Sequence, residues 1–293
     1  MDNQERLQKL KKTFNDAATG YDKPALRFFK AAAQRLADSM DFRGNERVLD
    51  VACGTGAVAL ECARRLGAGS VTGVDLSEGM LQKARAKALE QGLNNLEFLC
   101  RDLQAMDFAP ASFDAASCGF GIFFLPDMEA GLSAIAQQVK PGAAIGISSF
   151  TGEMMEPMSQ QFVERIQAYG VPVPPLSWKR LDDANKHAAL YRAAGLENVS
   201  TRTEQVGYDL DGFDEWWDIL WHSGFRGLLN QLSADDLARF RGEHGQEIET
   251  LAAEHGLWLN VEVLISVGHR PLAQSTLKQV PGDAARDAYP TRI

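Results

Sequence analysis

The stretch VLDVACGTG, residues 48–56, limits the chain to a narrow group of folds. A run such as VLDV reads as a buried parallel strand. Gly54 and Gly56 then let the backbone turn sharply and approach a ligand closely before AVALECARRL continues as a helix. Strand, glycine-rich turn and helix in that order make a nucleotide-type site.

The same alternation runs from about residue 44 to 150. RVLDVAC, SVTGVDL, LEFLCRD, FDAASCGFG and AAIGISSF read as strands, while AVALECARRLG, SEGMLQKARAKALEQG and MEAGLSAIAQQVKPG read as helices, the last ended by its Pro-Gly. Five strands with helical crossovers imply a parallel sheet with ligands at the carboxyl ends of its strands. Beyond it, HAALYRAAGLENVSTRTEQVGYDL reads as helix then strand and LNVEVLISVGHRP as a long strand. These two late strands are expected to complete the sheet as a hairpin around a helical, tryptophan-rich insertion at about residues 211–258. The expected fold is α/β, Rossmann-like and doubly wound: a mostly parallel seven-stranded sheet, a helical N-terminal lid, and a helical cap inserted before the last strand. The expected divisions are a lid over 1–43, a ligand-binding core over 44–150, cap and sheet completion over 151–270, and a loose tail over 271–293.

The ligand follows from what surrounds the turn. A dinucleotide fingerprint needs a third glycine to pack helix on strand, and residues 58–60 carry none. Asp50 at this turn repels a phosphate and welcomes an ammonium group, so a ligand with an amino-acid end is indicated. Asp75 closes VTGVD, nineteen residues after Gly56, where a carboxylate accepts from both ribose hydroxyls. In CRDLQAMDF, Asp102 is placed to accept from an exocyclic adenine amine while Leu103 offers its backbone and an apolar side. Amino acid, ribose and adenine together describe S-adenosylmethionine.

VLDVACGTG, VDLS, the RD of CRDLQAMDF and the KPG before the fifth strand resemble the class I S-adenosylmethionine-dependent methyltransferases, especially the ubiquinone/menaquinone and related small-molecule branch. The resemblance covers roughly residues 10–150 well and the end of the sheet more loosely. It implies that Asp50 lies by the methionine amino group, that Ala52, Gly54 and Gly56 form the cofactor turn, that Asp75 with Leu76 and Met80 holds the ribose side, and that Asp102 and Leu103 hold the adenine. Cys118 in the fourth strand joins this cofactor set. FNDAATGYD resembles the family's lid segment, which implies that Tyr21 approaches the cofactor's carboxylate. Ala52 departs from the pattern, since many members have glycine there.

Methyl transfer from a sulfonium is an in-line displacement that depends on alignment in a closed, dry pocket. The aromatic residues expected to line the acceptor site are Phe120 and Phe124 after the fourth strand, Trp178 after the proline-rich turn, and Trp217 and Trp221 in FDEWWDILWHSGF. On a helix Phe213, Trp217, Leu220 and Trp221 share one face, which suits a cap-to-core seam as well as an acceptor wall. A hydroxyl acceptor calls for a general base, and His222 and His187 are the candidates; helical phase places His222 opposite the Trp217 face and predicts that it is exposed. O-, N-, C- and S-acceptors all stay open.

Charge narrows the acceptor class. Residues 211–258 hold ten Asp/Glu against three Arg, a net of −7 (3 − 10) within a chain total of −9. So acidic a cap disfavours nucleic acid. The four cysteines form no C-x-x-C pair, no metal site is expected, and the charged start MDNQERLQKLKK together with the lack of any apolar run of about 18 residues suggests a cytoplasmic protein without membrane insertion. The expected acceptor is a small molecule, such as a quinone precursor or an aromatic secondary metabolite. The alternative is a non-catalytic S-adenosylmethionine binder that uses the acidic cap as a partner or sensor surface.

Overall fold

Val48, Leu49 and Val51 are buried on both sides of their strand, as a central parallel strand requires. A computed structural model describes residues 3–272, so most of the tail expected over 271–293 lies outside the described residues. Strand β1 (Arg47–Val51) pairs in parallel with β2 (Ser70–Asp75) on one side and β4 (Phe113–Gly119) on the other. With β3 (Leu96–Cys100), β5 (Val139–Phe150), β6 (Glu197–Gln205) and β9 (Glu262–His269), the sheet runs β3-β2-β1-β4-β5-β9-β6. β9 is antiparallel to both neighbours and the other strands share one direction. The late strands therefore form the expected hairpin around an insertion.

Helices cover both faces. Alternation along β5 shows this: Gly146 faces Met40 and Leu36 at the end of α2 (Phe28–Asp38), while Ser149 faces His187 of α7 (Ala184–Ala193). Gly146 is a case of required closeness, since a Cβ there meets the Met40 sulfur at 2.5 Å. Helix α3 (Ala57–Arg65) packs beside α2, and α5 (Met128–Gln138) beside α7. One boundary differs from expectation. The helix read through Pro141-Gly142 stops at Gln138, and β5 already begins at Val139, which pairs with Phe113 before the register jumps to Ala115–Ala144. Pro141 and Gly142 form an irregularity in an edge-like stretch of the strand, where Gly142 at φ +82° donates its N–H to Arg270 O.

The insertion comprises α8 (Phe213–His222), α9 (Arg226–Leu229) and α10 (Ala234–His255), closed at its base by the small ribbon of β7 (Tyr208–Asp209) and β8 (Trp258–Leu259). The chain begins with α1 (Asn3–Ala17), which contacts α4 (Glu78–Glu90), α8 and α9; α6 (Met158–Ala168) packs on α10. Register decides where the site falls: Val51–Val74 and Asp75–Cys100 are paired, so β1, β2 and β3 end at one edge, and the segments that follow them meet there. Among the described residues no helix is long and apolar enough to cross a membrane.

Candidate active site

The turn after β1 is built by its backbone. Ala52, Gly54 and Gly56 all take left-handed φ, at +53°, +55° and +83°. For Ala52 this is an uncommon conformation, the one that a glycine adopts without strain. Gly54 has no atom within 4 Å of the place where a Cβ would sit, whereas a Cβ on Gly56 meets Ala84 at 3.1 Å and Phe98 at 3.2 Å. Gly54 therefore leaves open space at the site, and Gly56 lets α3 and the neighbouring elements close up. The turn is tied to β2 because Gly54 N–H donates to Asp75 Oδ2 at 2.9 Å, and Asp75 Oδ1 accepts from Ser77 N–H at 2.8 Å.

These groups face one cavity of about 1150 Å³, lined by residues of α1, the Tyr21–Lys30 segment, the ends of β1 to β5, the 172–178 turn and the stretch 223–231 around α9 of the cap. Ligand pockets typically span about 300–1,000 Å³, so this one is slightly larger than usual. Of the residues expected at a cofactor, Tyr21, Asp50, Ala52, Gly54, Asp75, Leu76, Met80, Asp102 and Leu103 stand on its wall. Gly56 and Cys118 do not. Gly56 is held back in the packing just described, and Cys118 is fully buried beneath Gly121 with its thiol pushed up to about 12 by burial.

Asp50 is fully buried; its Oδ1 accepts from Ser117 Oγ at 2.7 Å and its Oδ2 has no partner. Burial raises its pKa to about 7, against the opposing hydrogen bond from Ser117. Burial also raises Asp75, against the amide donors of Ser77 and Gly54. Asp102 Oδ1 accepts from Gln104 N–H at 2.9 Å, which fixes the turn after β3. Tyr21 stacks on Phe29 at 4.9 Å, and its phenol is pushed up by burial and then by the charges of Asp75 and Asp22. Asp22 itself binds Lys87 Nζ at 2.5 Å and Thr55 Oγ1 at 2.8 Å, fastening this N-terminal segment to the turn.

The other end of the cavity is aromatic. Phe120 stacks on Phe150 at 4.3 Å, Phe29 meets Phe120 edge-on at 5.4 Å, and Phe14 meets Phe124 edge-on at 5.4 Å. Phe120, Phe124 and Trp178, expected here, are on the wall. Trp217 and Trp221 are not. They stack on each other at 5.8 Å on the outer side of α8, covered by Arg241 and Arg226. The buried face of α8 is one residue out of phase with the expected one: Trp216, Ile219 and Leu220 are fully buried, and Trp216 Nε1 donates to His244 Nε2 at 2.9 Å. Both candidate bases are also elsewhere. His187 is fully buried between the Ser149 and Ser266 hydroxyls at 2.6 and 2.7 Å, and burial lowers its pKa to about 4, so it is a neutral core residue. His222, expected to be exposed, is buried against Gly20, where a Cβ would overlap its ring at 2.2 Å.

Residues that the motifs did not indicate also line the cavity, among them Arg6 and Leu10 of α1, and Phe29 and Phe150. A signal was present for some: Phe150 ends the fifth strand, and carboxyl ends of strands are where ligands bind. Arg6 had no such signal, because its place depends on how α1 docks.

A family model described as a methyltransferase domain matches residues 48–142. The chain is 34% identical over 137 residues to an aklanonic acid methyltransferase, DauC, from Streptomyces sp. (strain C5), covering 46% of this chain and 62% of that relative. It is 31% identical over 173 residues to a demethylmenaquinone methyltransferase from Desulfitobacterium hafniense (strain Y51), covering 57% of this chain and 67% of that relative. The YcgJ protein from Bacillus subtilis shares the fold, with a TM-score of 0.57 at 18% identity over 83% of this chain and 100% of that one. With a glycine-type turn after β1, carboxylates at the neighbouring strand ends and these relatives, the chain belongs to the class I S-adenosylmethionine-dependent methyltransferases.

Proposed function

We propose that the protein transfers a methyl group from S-adenosylmethionine to a small, flat acceptor. The observation that carries this reading is one cavity with two chemically different ends, Asp50, Asp75 and Asp102 at one and Phe29, Phe120, Phe124, Phe150 and Trp178 at the other. The residues fit the cofactor. Asp50 Oδ2 is a buried acceptor without a partner, suited to an ammonium group, and Gly54 leaves the space that a side chain would fill. Asp75, oriented by two backbone N–H groups, keeps lone pairs for two ribose hydroxyls. Asp102 and Leu103 would hold the adenine, and Tyr21, with Leu76 and Met80 nearby, would close the cofactor end. When bound, the sulfonium supplies an activated methyl carbon. The aromatic end then positions the acceptor and, with α1 and the Tyr21–Phe29 segment as a lid, keeps water out. No histidine lines the cavity among the described residues, so the reading favours an acceptor that is already nucleophilic.

The alternative of a sensor with an acidic docking face has weaker support. Asp214, Glu215, Asp218, Asp236, Glu243 and Glu247 pair with Arg241, Arg27, Lys23, Arg239 and Arg165, so much of the cap's charge is used in holding the molecule together. The test is incubation of the purified protein with methyl-labelled cofactor and a small-molecule extract, followed by mass spectrometry. A labelled small product is expected; label retained wholly on the cofactor, with the cofactor bound, counts for the sensor.

A further inference from the structure

Two residues of the cavity wall each carry a buried hydrogen-bond donor without a partner. Arg6 donates through Nη1 to Phe124 O at 2.7 Å, while its Nη2 is buried with nothing to bond. Trp178 Nε1 is likewise buried and unpartnered. Both residues line the cavity, and both are attached to the same short turn, Ile122–Phe124. Arg6 is joined to it by its own hydrogen bond. Trp178 belongs to the 3-10 turn Ser177–Leu181, which packs on Ile122–Phe124 and is fastened there by Arg180, donating to Phe123 O at 3.2 Å and Pro126 O at 2.9 Å. Arg180 uses both terminal nitrogens on carbonyls; Arg6 uses one and leaves Nη2 without a partner.

A guanidinium cannot shed its proton, so a buried N–H without an acceptor carries the full desolvation penalty until a ligand supplies one. The carboxylates on the cavity wall are Asp22, Asp50, Glu61, Asp75 and Asp102, all on the turn after β1, on α3, at the ends of β1 to β3, or tied to them through Thr55 and Lys87. None pairs with Arg6. The aromatic end thus combines π faces with a guanidinium that no wall carboxylate neutralises and an indole N–H, a combination that recognises a flat molecule bearing a negative oxygen.

We propose that Arg6 and Trp178 are the specificity anchor of the acceptor site, and that the acceptor is an aromatic molecule with an ionised oxygen, a carboxylate, enolate or phenolate, held by the Arg6 guanidinium and the Trp178 N–H. This rests on the methyl-transfer reading only for the fate of the ligand. An oxygen that arrives ionised and conjugated to the ring also makes the acceptor a nucleophile without a base, which suits a wall that has no histidine among the described residues.

The test uses the full chain saturated with S-adenosylhomocysteine and compares 1-hydroxy-2-naphthoate and 9-anthracenecarboxylate with their methyl esters by calorimetry. At least one carboxylate is expected to bind more tightly than its ester. Arg6→Gln should weaken that carboxylate about 10-fold or more and leave the ester unchanged; Arg6→Lys should recover part of the loss, and Trp178→Phe should cost about 3-fold while keeping the aromatic face. Unchanged S-adenosylhomocysteine affinity and melting temperature in each variant show that the fold is intact. Esters binding as well as both acids, or Arg6→Gln affecting acid and ester alike, overturns the proposal. If the chain does not bind S-adenosylhomocysteine, the methyl-transfer reading falls, and the same acid–ester comparison on the cofactor-free chain still decides the role of Arg6.

Discussion

Asp50 sits where two demands on one side chain oppose each other. Its strand must be buried to form the sheet, and in the role proposed above its carboxylate must be charged to meet an ammonium group. Burial holds its pKa near 7, far above the usual carboxylate range, because ionisation leaves Oδ2 without a partner. The sign follows from linkage. A folded-state pKa raised above the unfolded one favours the folded protein at low pH, and that contribution is lost as pH rises through about 7. A bound ammonium reverses the balance by favouring the ionised form. Affinity for S-adenosylhomocysteine should therefore rise between about pH 5.5 and 7.5, below the range where a free α-amino group itself titrates. Asp50→Asn should bind more weakly and show a flat profile; calorimetry at the two ends of that range checks it, and a flat profile in the unsubstituted protein would place the ammonium elsewhere.

At the scale of elements, α8 shows how far pattern reading reaches. FDEWWDILWHSGF is strongly amphipathic, and its helix forms at Phe213–His222. Two adjacent tryptophans, however, give two possible apolar faces about 100° apart, and only one faces the core. The choice falls to Trp216 because its N–H finds His244, whose Nδ1 lies 3.1 Å from Glu247 Oε2, which in turn is held by Arg165. Trp217 is only partly buried, packed beside Phe213 and Phe240 and covered by Arg241. Trp216→Ala should cost about 3–5 kcal/mol, as for a large buried aromatic. Trp217→Ala should cost clearly less. Urea unfolding of the two variants measures the difference, and equal losses would mean that the outer face of α8 is as tightly packed as the inner one.

The whole molecule is organised around a shared edge. Parallel register brings the ends of β1, β2 and β3 together, and the chain then covers that edge from both its N-terminal segment and its late insertion. Asn15 Oδ1 on α1 accepts from Ser77 Oγ at 2.7 Å and Gly79 N–H at 3.0 Å, Arg6 bonds Phe124 O, and Lys23 and Arg27 reach Asp218 and Glu215 of the cap. The two ion pairs to the cap are partly exposed, so each contributes little; the buried Ala17, Ala18 and Met80 cluster and the Asn15 and Asp22 hydrogen bonds hold the segment in place. Saturating S-adenosylhomocysteine should slow amide hydrogen exchange in α1 and residues 18–23 more than in α10. Tyr21→Phe should reduce that protection and lower cofactor affinity by one hydrogen bond, about 0.5–3 kcal/mol depending on its partner's charge. Protection spread evenly over the chain would show that α1 is scaffold, not lid.

Read alone, the sequence determined the strands, the mostly parallel sheet with its late hairpin, and most of the residues that stand at the strand-end side of the cavity, because these depend on short-range signals. Apolar runs set the strands, glycines set the turn, and Asp50, Asp75 and Asp102 stand at or just beyond the strand ends. The bounds of β5 and α5 shifted because pairing of Val139 with Phe113 is a contact between strands that local preference does not encode. The roles of His187, His222, Trp217 and Trp221, and the presence of Arg6 at the aromatic end, were decided only by tertiary structure. Each depends on which face of a helix meets which distant partner: Ser149 and Ser266 for His187, Gly20 for His222, His244 for the neighbour of Trp217, and Phe124 for Arg6. Contacts so far apart in the chain leave no periodicity to read. Hence the strand-end half of the cavity was legible before folding, and the half assembled from docked helices was not.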